Sequence, residues 1–101
     1  MFYLYILYSE SADKYYIGHT SDPARRLEEH NNVIKNSYTF RYRPWILKSC
    51  FPVSESRRDA RIIENYLKKL KSRIIIKKLI NNPEEFEVLI RKVRAVPTCR
   101  D

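Results

Sequence analysis

The sequence predicts an α+β domain on three observations. Phe2 to Tyr8 alternates with period two and is largely apolar on both faces, as a central strand covered on both sides would be. Lys14 to Gly18 follows a polar turn at Ser9 to Lys14, so the two runs read as an antiparallel hairpin. After Pro52 the apolar spacing changes to that of helices. A chain of 101 residues suits a single domain with a modest core. No repeat, linker or second domain is legible, so residues 1–94 are assigned to one domain and 95–101 to a C-terminal tail.

In the first strand Phe2, Leu4, Ile6 and Tyr8 share one face, and Tyr3, Tyr5 and Leu7 the other. Asp22-Pro23 is a helix start, an N-cap oxygen followed by proline at the first helical position. This helix is expected to run to about His30 and stop at Asn31-Asn32, with Arg26 and His30 on one face and Arg25 paired to Glu29. Asn31 to Pro44 has no useful periodicity. It reads equally as a long loop whose Tyr38, Phe40 and Tyr42, set among Lys35, Arg41 and Arg43, stack on bases, or in part as a fourth strand with core-facing aromatics.

Trp45 to Phe51 forms a third strand between Pro44 and Pro52. Ser54 or Ser56 caps the next helix, Ser56 and Asp59 having the spacing of a capping-box variant. Its apolar stripe is Ala60, Ile63, Leu67 and Leu70. Ser72 starts a short helix carrying Ile75, Ile76, Leu79 and Ile80. Pro83 opens a last helix with Phe86, Leu89, Ile90 and Val93 turned inward.

The formal net charge is +8, and it is unevenly spread: residues 1–34 hold three Lys/Arg against five Asp/Glu, residues 35–101 seventeen against seven. That asymmetry favours one basic face and a nucleic-acid partner over a uniformly solvated coat. Cys50 and Cys99 match neither a disulfide framework nor a zinc pattern, and Cys50 reads as a small core residue. No secretory leader or membrane span is legible, so residence is expected to be cytoplasmic. One glycine in the whole chain excludes glycine-rich phosphate loops.

That glycine, Gly18, lies among Tyr15, Tyr16 and His19. A lone glycine in a strand signals a bulge or a close approach of backbone or ligand. Glu64 is the other singular position, the only acidic residue between Asp59 and Glu84 amid seven lysines and arginines. By spacing alone it is an ordinary ion pair with Arg61 or Lys68; its functional reading is a carboxylate held for a cation.

Tyr3-Leu4-Tyr5, Tyr16-Ile17-Gly18, Arg25-Arg26-Leu27-Glu28-Glu29-His30-Asn31 and Ala60 followed by Glu64 together resemble the GIY-YIG nuclease superfamily, from about Phe2 to about Lys71. Small free-standing bacterial members are the nearest in kind. Tyr3 stands where the first signature has glycine, at a place where that motif is loose. The resemblance implies a small three-stranded antiparallel sheet flanked by helices and one divalent metal. By motif position Tyr5 and Tyr16 match the signature tyrosines, Arg26 the family's arginine and Glu64 its metal ligand. His30 matches an accessory proton-handling position, and His19 one where relatives carry lysine or another polar residue. The late asparagine of some relatives has only Asn81 and Asn82 as candidates.

On this resemblance the chain is expected to be a Mg²⁺-dependent DNA endonuclease, with Mn²⁺ able to substitute, in repair or recombination. Glu64 would hold the ion, and Arg26 would fork onto phosphate oxygens. Nearby cations would favour tyrosine phenolate, making Tyr16 the preferred general base, with Tyr5 orienting water or sharing that task. His30 would relay the proton outward. His19, Arg25, Lys35, Arg41, Arg43 and Lys68 would contact substrate, and Gly18 would let the strand end pass near a phosphate. Two rivals stay open, a non-catalytic nucleic-acid-binding module and a basic protein-interaction domain.

Overall fold

The computed structural model describes residues 1–33 and 41–95. Three strands, β1 (Phe2–Ser9), β2 (Lys14–Thr20) and β3 (Trp45–Ser54), form one antiparallel sheet in the order β2-β1-β3. β1 is central, as its two apolar faces require. The helices are α1 (Pro23–Glu28), continued by a π-helical turn (Glu29–Val33), then α2 (Arg57–Leu70), α3 (Arg73–Asn81) and α4 (Glu85–Ala95). No described helix is long and apolar enough to cross a membrane.

β1 divides the interior in two. Leu4 and Ile6 join Ile17, Phe51, Ile63, Leu67, Leu79, Phe86, Ile90 and Val93 in the main core, under α2, α3 and α4. Tyr5 and Leu7 point the other way, into a smaller cluster with Trp45, against which Tyr16, Leu27 and Tyr42 pack. Each fully buried aliphatic or aromatic side chain contributes about 1.5–3 kcal/mol. Phe86 stacks on Phe51 at 4.3 Å and ties α4 to β3.

Several boundaries differ from the sequence expectation. β3 runs past Phe51 through Pro52, which an edge strand tolerates because its outward side needs no N–H; the register shifts there, between Phe2 and Tyr3 of β1. β2 continues to Thr20. Asp22 caps α1 as expected, accepting the Arg25 N–H at 3.2 Å, but the chain does not stop at Asn31. It widens into the π-helical turn, and the Asn31 side chain both donates to the Trp45 carbonyl (3.1 Å) and accepts the Trp45 N–H (2.6 Å). Asn31 thereby acts as a one-residue strand that fixes the turn to the start of β3.

Ser56 is the N-cap of α2 by position, yet the capping bond is absent; Ser54 instead donates to Asp59 at 3.0 Å and accepts the Ser56 N–H at 2.8 Å. Ala60, Ile63 and Leu67 are buried as expected, whereas Leu70 is exposed at the end of the helix, before Lys71 turns into the left-handed region. Ser72 does cap α3, through the Ile75 N–H. Pro83 lies in the turn ahead of α4 rather than inside it, its carbonyl accepting the Phe86 N–H. Cys50 is half-buried, opposite Tyr5 on β3, and burial pushes its thiol pKa up. Lys35, Tyr38, Phe40 and Cys99 lie outside the described residues, so the loop and fourth-strand readings of Asn31 to Pro44 fall largely there.

Candidate active site

Gly18 pairs with Tyr5 across the β1–β2 ladder. The Tyr5 ring lies directly over it: a Cβ at Gly18 would come 2.6 Å from Tyr5 Cζ and nearer still to the hydroxyl oxygen. The glycine has no positive φ, so it is needed for space rather than for backbone freedom. The expected close approach is made by the Tyr5 side chain.

Tyr5 is 2% exposed and its hydroxyl meets His30 Nε2 at 2.9 Å. Burial raises the Tyr5 pKa to about 12, although the Arg26 guanidinium beside the hydroxyl pulls the other way. His30 is equally buried; burial, helped by the positive charge of Arg26, lowers its pKa to about 4. Both groups are therefore neutral near pH 7. With Arg26 donating to the Tyr5 oxygen, we assign the Tyr5 O–H as donor to Nε2. Two expectations are corrected by the dry surroundings: nearby cations do not make Tyr5 a phenolate, and His30 is not a near-neutral relay open to water.

Tyr16 lies on the same face as Tyr5 and is only half-buried. Its ring is 6.3 Å from that of Tyr5, 5.0 Å and edge-on to His30, and 6.1 Å from Trp45. Tyr15 points to the other face, where it packs on the main core between Tyr8 (4.8 Å) and the Arg73 guanidinium (5.1 Å). It has a packing role. Arg73 also binds the Asp13 carboxylate, which accepts from Tyr8 as well and caps a hairpin turn in which Asp13 has φ 54°.

Glu64 arrives from α2. Ile63 beside it is locked into the core, which turns Glu64 toward the edge strand β2, where it is 13% exposed. Its Oε1 meets His19 Nδ1 at 2.5 Å and its Oε2 meets Lys68 Nζ at 2.6 Å. Of the two partners that helical spacing allowed, Lys68 is the one found. The same ammonium stands 5.5 Å over the Tyr16 ring, so Lys68 links the Glu64 side of β2 to the Tyr16 side. The His19–Glu64 contact spans 45 residues of sequence and had no local signal.

Arg26 binds Glu29 at 2.9 Å and keeps its side chain one-third exposed beside Tyr5. The expected Arg25–Glu29 pair is the weaker one, at 4.0 Å, and Arg25 is also 3.9 Å from Asp22. Tyr5, Tyr16, Arg26, His30, Glu64, His19 and Lys68 thus form one contiguous group. Arg41 and Arg43 are exposed at the turn end of the sheet, with Arg41 5.8 Å from the Tyr42 ring and the Tyr42 carbonyl accepting from Ser9. Asn81 and Asn82 close α3, where the Asn82 N–H caps the Lys78 carbonyl.

Among the described residues no three His, Cys, Asp or Glu side chains cluster as a metal cage. A single carboxylate does fit Mg²⁺, which keeps several of its own waters and takes further oxygens from phosphate. Glu64 is such a carboxylate, part-buried and already holding a cation.

A 56-residue alignment that covers 50% of this chain relates it, at 52% identity, to "Structure-specific endonuclease subunit slx1" of Schizosaccharomyces japonicus (strain yFS275 / FY16936). It covers 20% of that relative, so the chain spans only part of the relative's length. No solved structure matches the chain. The GIY-YIG catalytic domain matches residues 1–80, which include both tyrosines, the arginine turn and Glu64, and the chain belongs to the GIY-YIG family.

Proposed function

We propose that the protein is a Mg²⁺-dependent endonuclease that hydrolyses DNA phosphodiester bonds, acting on structured DNA in repair or recombination. The observation that carries this reading is the contiguity of Tyr16, Arg26 and Glu64, joined through Tyr5 and Lys68, in a chain of this family. The relative named as a structure-specific endonuclease subunit supports endonuclease activity with a preference for structure.

Tyr16 is the general base: acting as phenolate, its oxygen takes a proton from the attacking water and becomes the neutral hydroxyl. Tyr5 remains protonated. Its hydroxyl, held between Arg26 and His30, fixes the guanidinium rather than accepting the water's proton. Arg26 offers two N–H groups to the phosphate and opposes the charge that grows on its oxygens. His30 orients Tyr5 from inside the fold. Glu64 would hold Mg²⁺, which when bound supplies Lewis-acid stabilisation of the phosphate and leaving group. Lys68, Arg25 and His19 add positive or polar contacts at the rim, and Arg41 and Arg43 extend a strand-binding path toward the turn end of the sheet; Lys35, outside the described residues, is kept as a substrate contact on its charge alone.

Incubation with single-stranded, duplex and branched DNA and with RNA, with and without Mg²⁺, tests this. Metal-dependent cleavage is expected, abolished by Glu64→Gln and by Arg26→Ala with the fold intact. Undiminished cleavage by either variant sinks the assignment of roles. Salt-sensitive binding without cleavage in Mg²⁺ or Mn²⁺ would identify a binding module instead.

A further inference from the structure

We infer that Lys68 is a built-in counter-ion that holds Glu64 Oε2 in the metal-free protein and must be displaced when a divalent cation loads. The inference rests on the reading of Glu64 as the metal carboxylate.

Both oxygens of Glu64 carry a partner, His19 Nδ1 on Oε1 and Lys68 Nζ on Oε2. A carboxylate this buried is costly to leave unpaired. The Glu-to-Lys step of four residues along α2 is the favourable orientation for a helical pair. Lys68 can also leave. Its side chain is 46% exposed, against 13% for Glu64, so it has solvent to move into while the carboxylate stays in place. On leaving Oε2 the ammonium still has the Tyr16 ring, 5.5 Å from it in this arrangement, as a second resting place. The ammonium at 2.6 Å occupies the open approach to Oε2, and a metal ion placed beside it would meet like-charge repulsion, so the two cations compete.

The competition is measured by titrating Mn²⁺ into DNA-free protein in a calorimeter, for the parent chain and for Lys68→Met, Lys68→Arg and Glu64→Gln. Lys68→Met should tighten Mn²⁺ binding roughly two- to fivefold, the factor expected for releasing a partly exposed ion pair. Lys68→Arg, which keeps the competing charge, should bind within about twofold of the parent, since exposed pairs differ little in strength. Circular dichroism checks that each variant is folded. Should Glu64→Gln lose Mn²⁺ binding while Lys68→Met binds no tighter than the parent, the counter-ion role is overturned and the metal site stands. Should Glu64→Gln bind Mn²⁺ as the parent does, the metal carboxylate is misassigned and this inference falls with it.

Discussion

β1 sends Leu4 and Ile6 to one side of the sheet and Tyr5 and Leu7 to the other, and the two sides are built differently. The first is a dry apolar layer under α2, α3 and α4, closed by the Phe51–Phe86 stack. The second is a thin aromatic layer under α1 and the π-helical turn. The buried polar side chains among the described residues, Ser9, Thr20 and His30, all belong to the second side. Buried polar groups destabilise unless they are hydrogen-bonded. Here each has its partner: Ser9 on the Tyr42 carbonyl, Thr20 with the Asp22 N–H, and His30 with Tyr5. The contrast separates two tasks on one strand. One layer supplies stability through area. The other uses low polarity to set where protons sit.

Substitutions can break this contrast, from the largest effect to the smallest. Phe86→Ala should cost about 3–5 kcal/mol in urea unfolding while leaving cleavage per folded molecule unchanged, since it empties only the apolar layer. Arg26→Lys should do the reverse, lowering the cleavage rate about a hundredfold with little change in the unfolding midpoint, because one ammonium cannot fork onto two phosphate oxygens. Gly18→Ala should destabilise by about 1–3 kcal/mol by driving a Cβ into the Tyr5 ring. On a Tyr5→Leu background the same change should cost clearly less, a coupling that a double-mutant cycle measures.

The smallest effect is one of pH. His30 has its pKa lowered by burial to about 4, so the unfolded chain binds the proton more tightly than the folded one. Stability is therefore complete above the unfolded value of about 6.5 and is lost as pH falls toward 4. Between pH 6.5 and 5 the loss should be about 1.5 kcal/mol. His30→Leu should remove that slope; a parent chain whose unfolding is flat over this window would contradict the neutral, buried histidine.

How much of this is legible in the sequence divides along the same line. Periodicity places all three strands, the central position of β1 and the stripe of α2, because burial writes itself into alternation. Tyr5, Tyr16, Arg26 and Glu64 are legible through the family motifs. What stays hidden is non-local or electrostatic. Nothing near Asn31 in sequence announces that its amide completes the edge of β3. His19 and Glu64 meet only because α2 packs across β2. The protonation of Tyr5 depends on burial outweighing a nearby guanidinium, a balance that spacing does not encode. Pro52 marks a strand boundary only where both sides of a strand must pair; β3 is an edge, so the strand runs through it.

The central claim is that Tyr16, in the aromatic layer, is the general base of a site whose carboxylate, Glu64, comes from α2 on the other side of β2. Tyr16→Phe removes one hydroxyl and leaves the ring packing against His30 and Trp45 in place. Single-turnover cleavage of branched and duplex DNA by this variant in Mg²⁺, at a temperature where its circular dichroism matches the parent, is the direct measurement. A rate lowered by at least about a hundredfold is predicted, as befits loss of a general base. Cleavage at the parent rate by a folded Tyr16→Phe protein would contradict the claim.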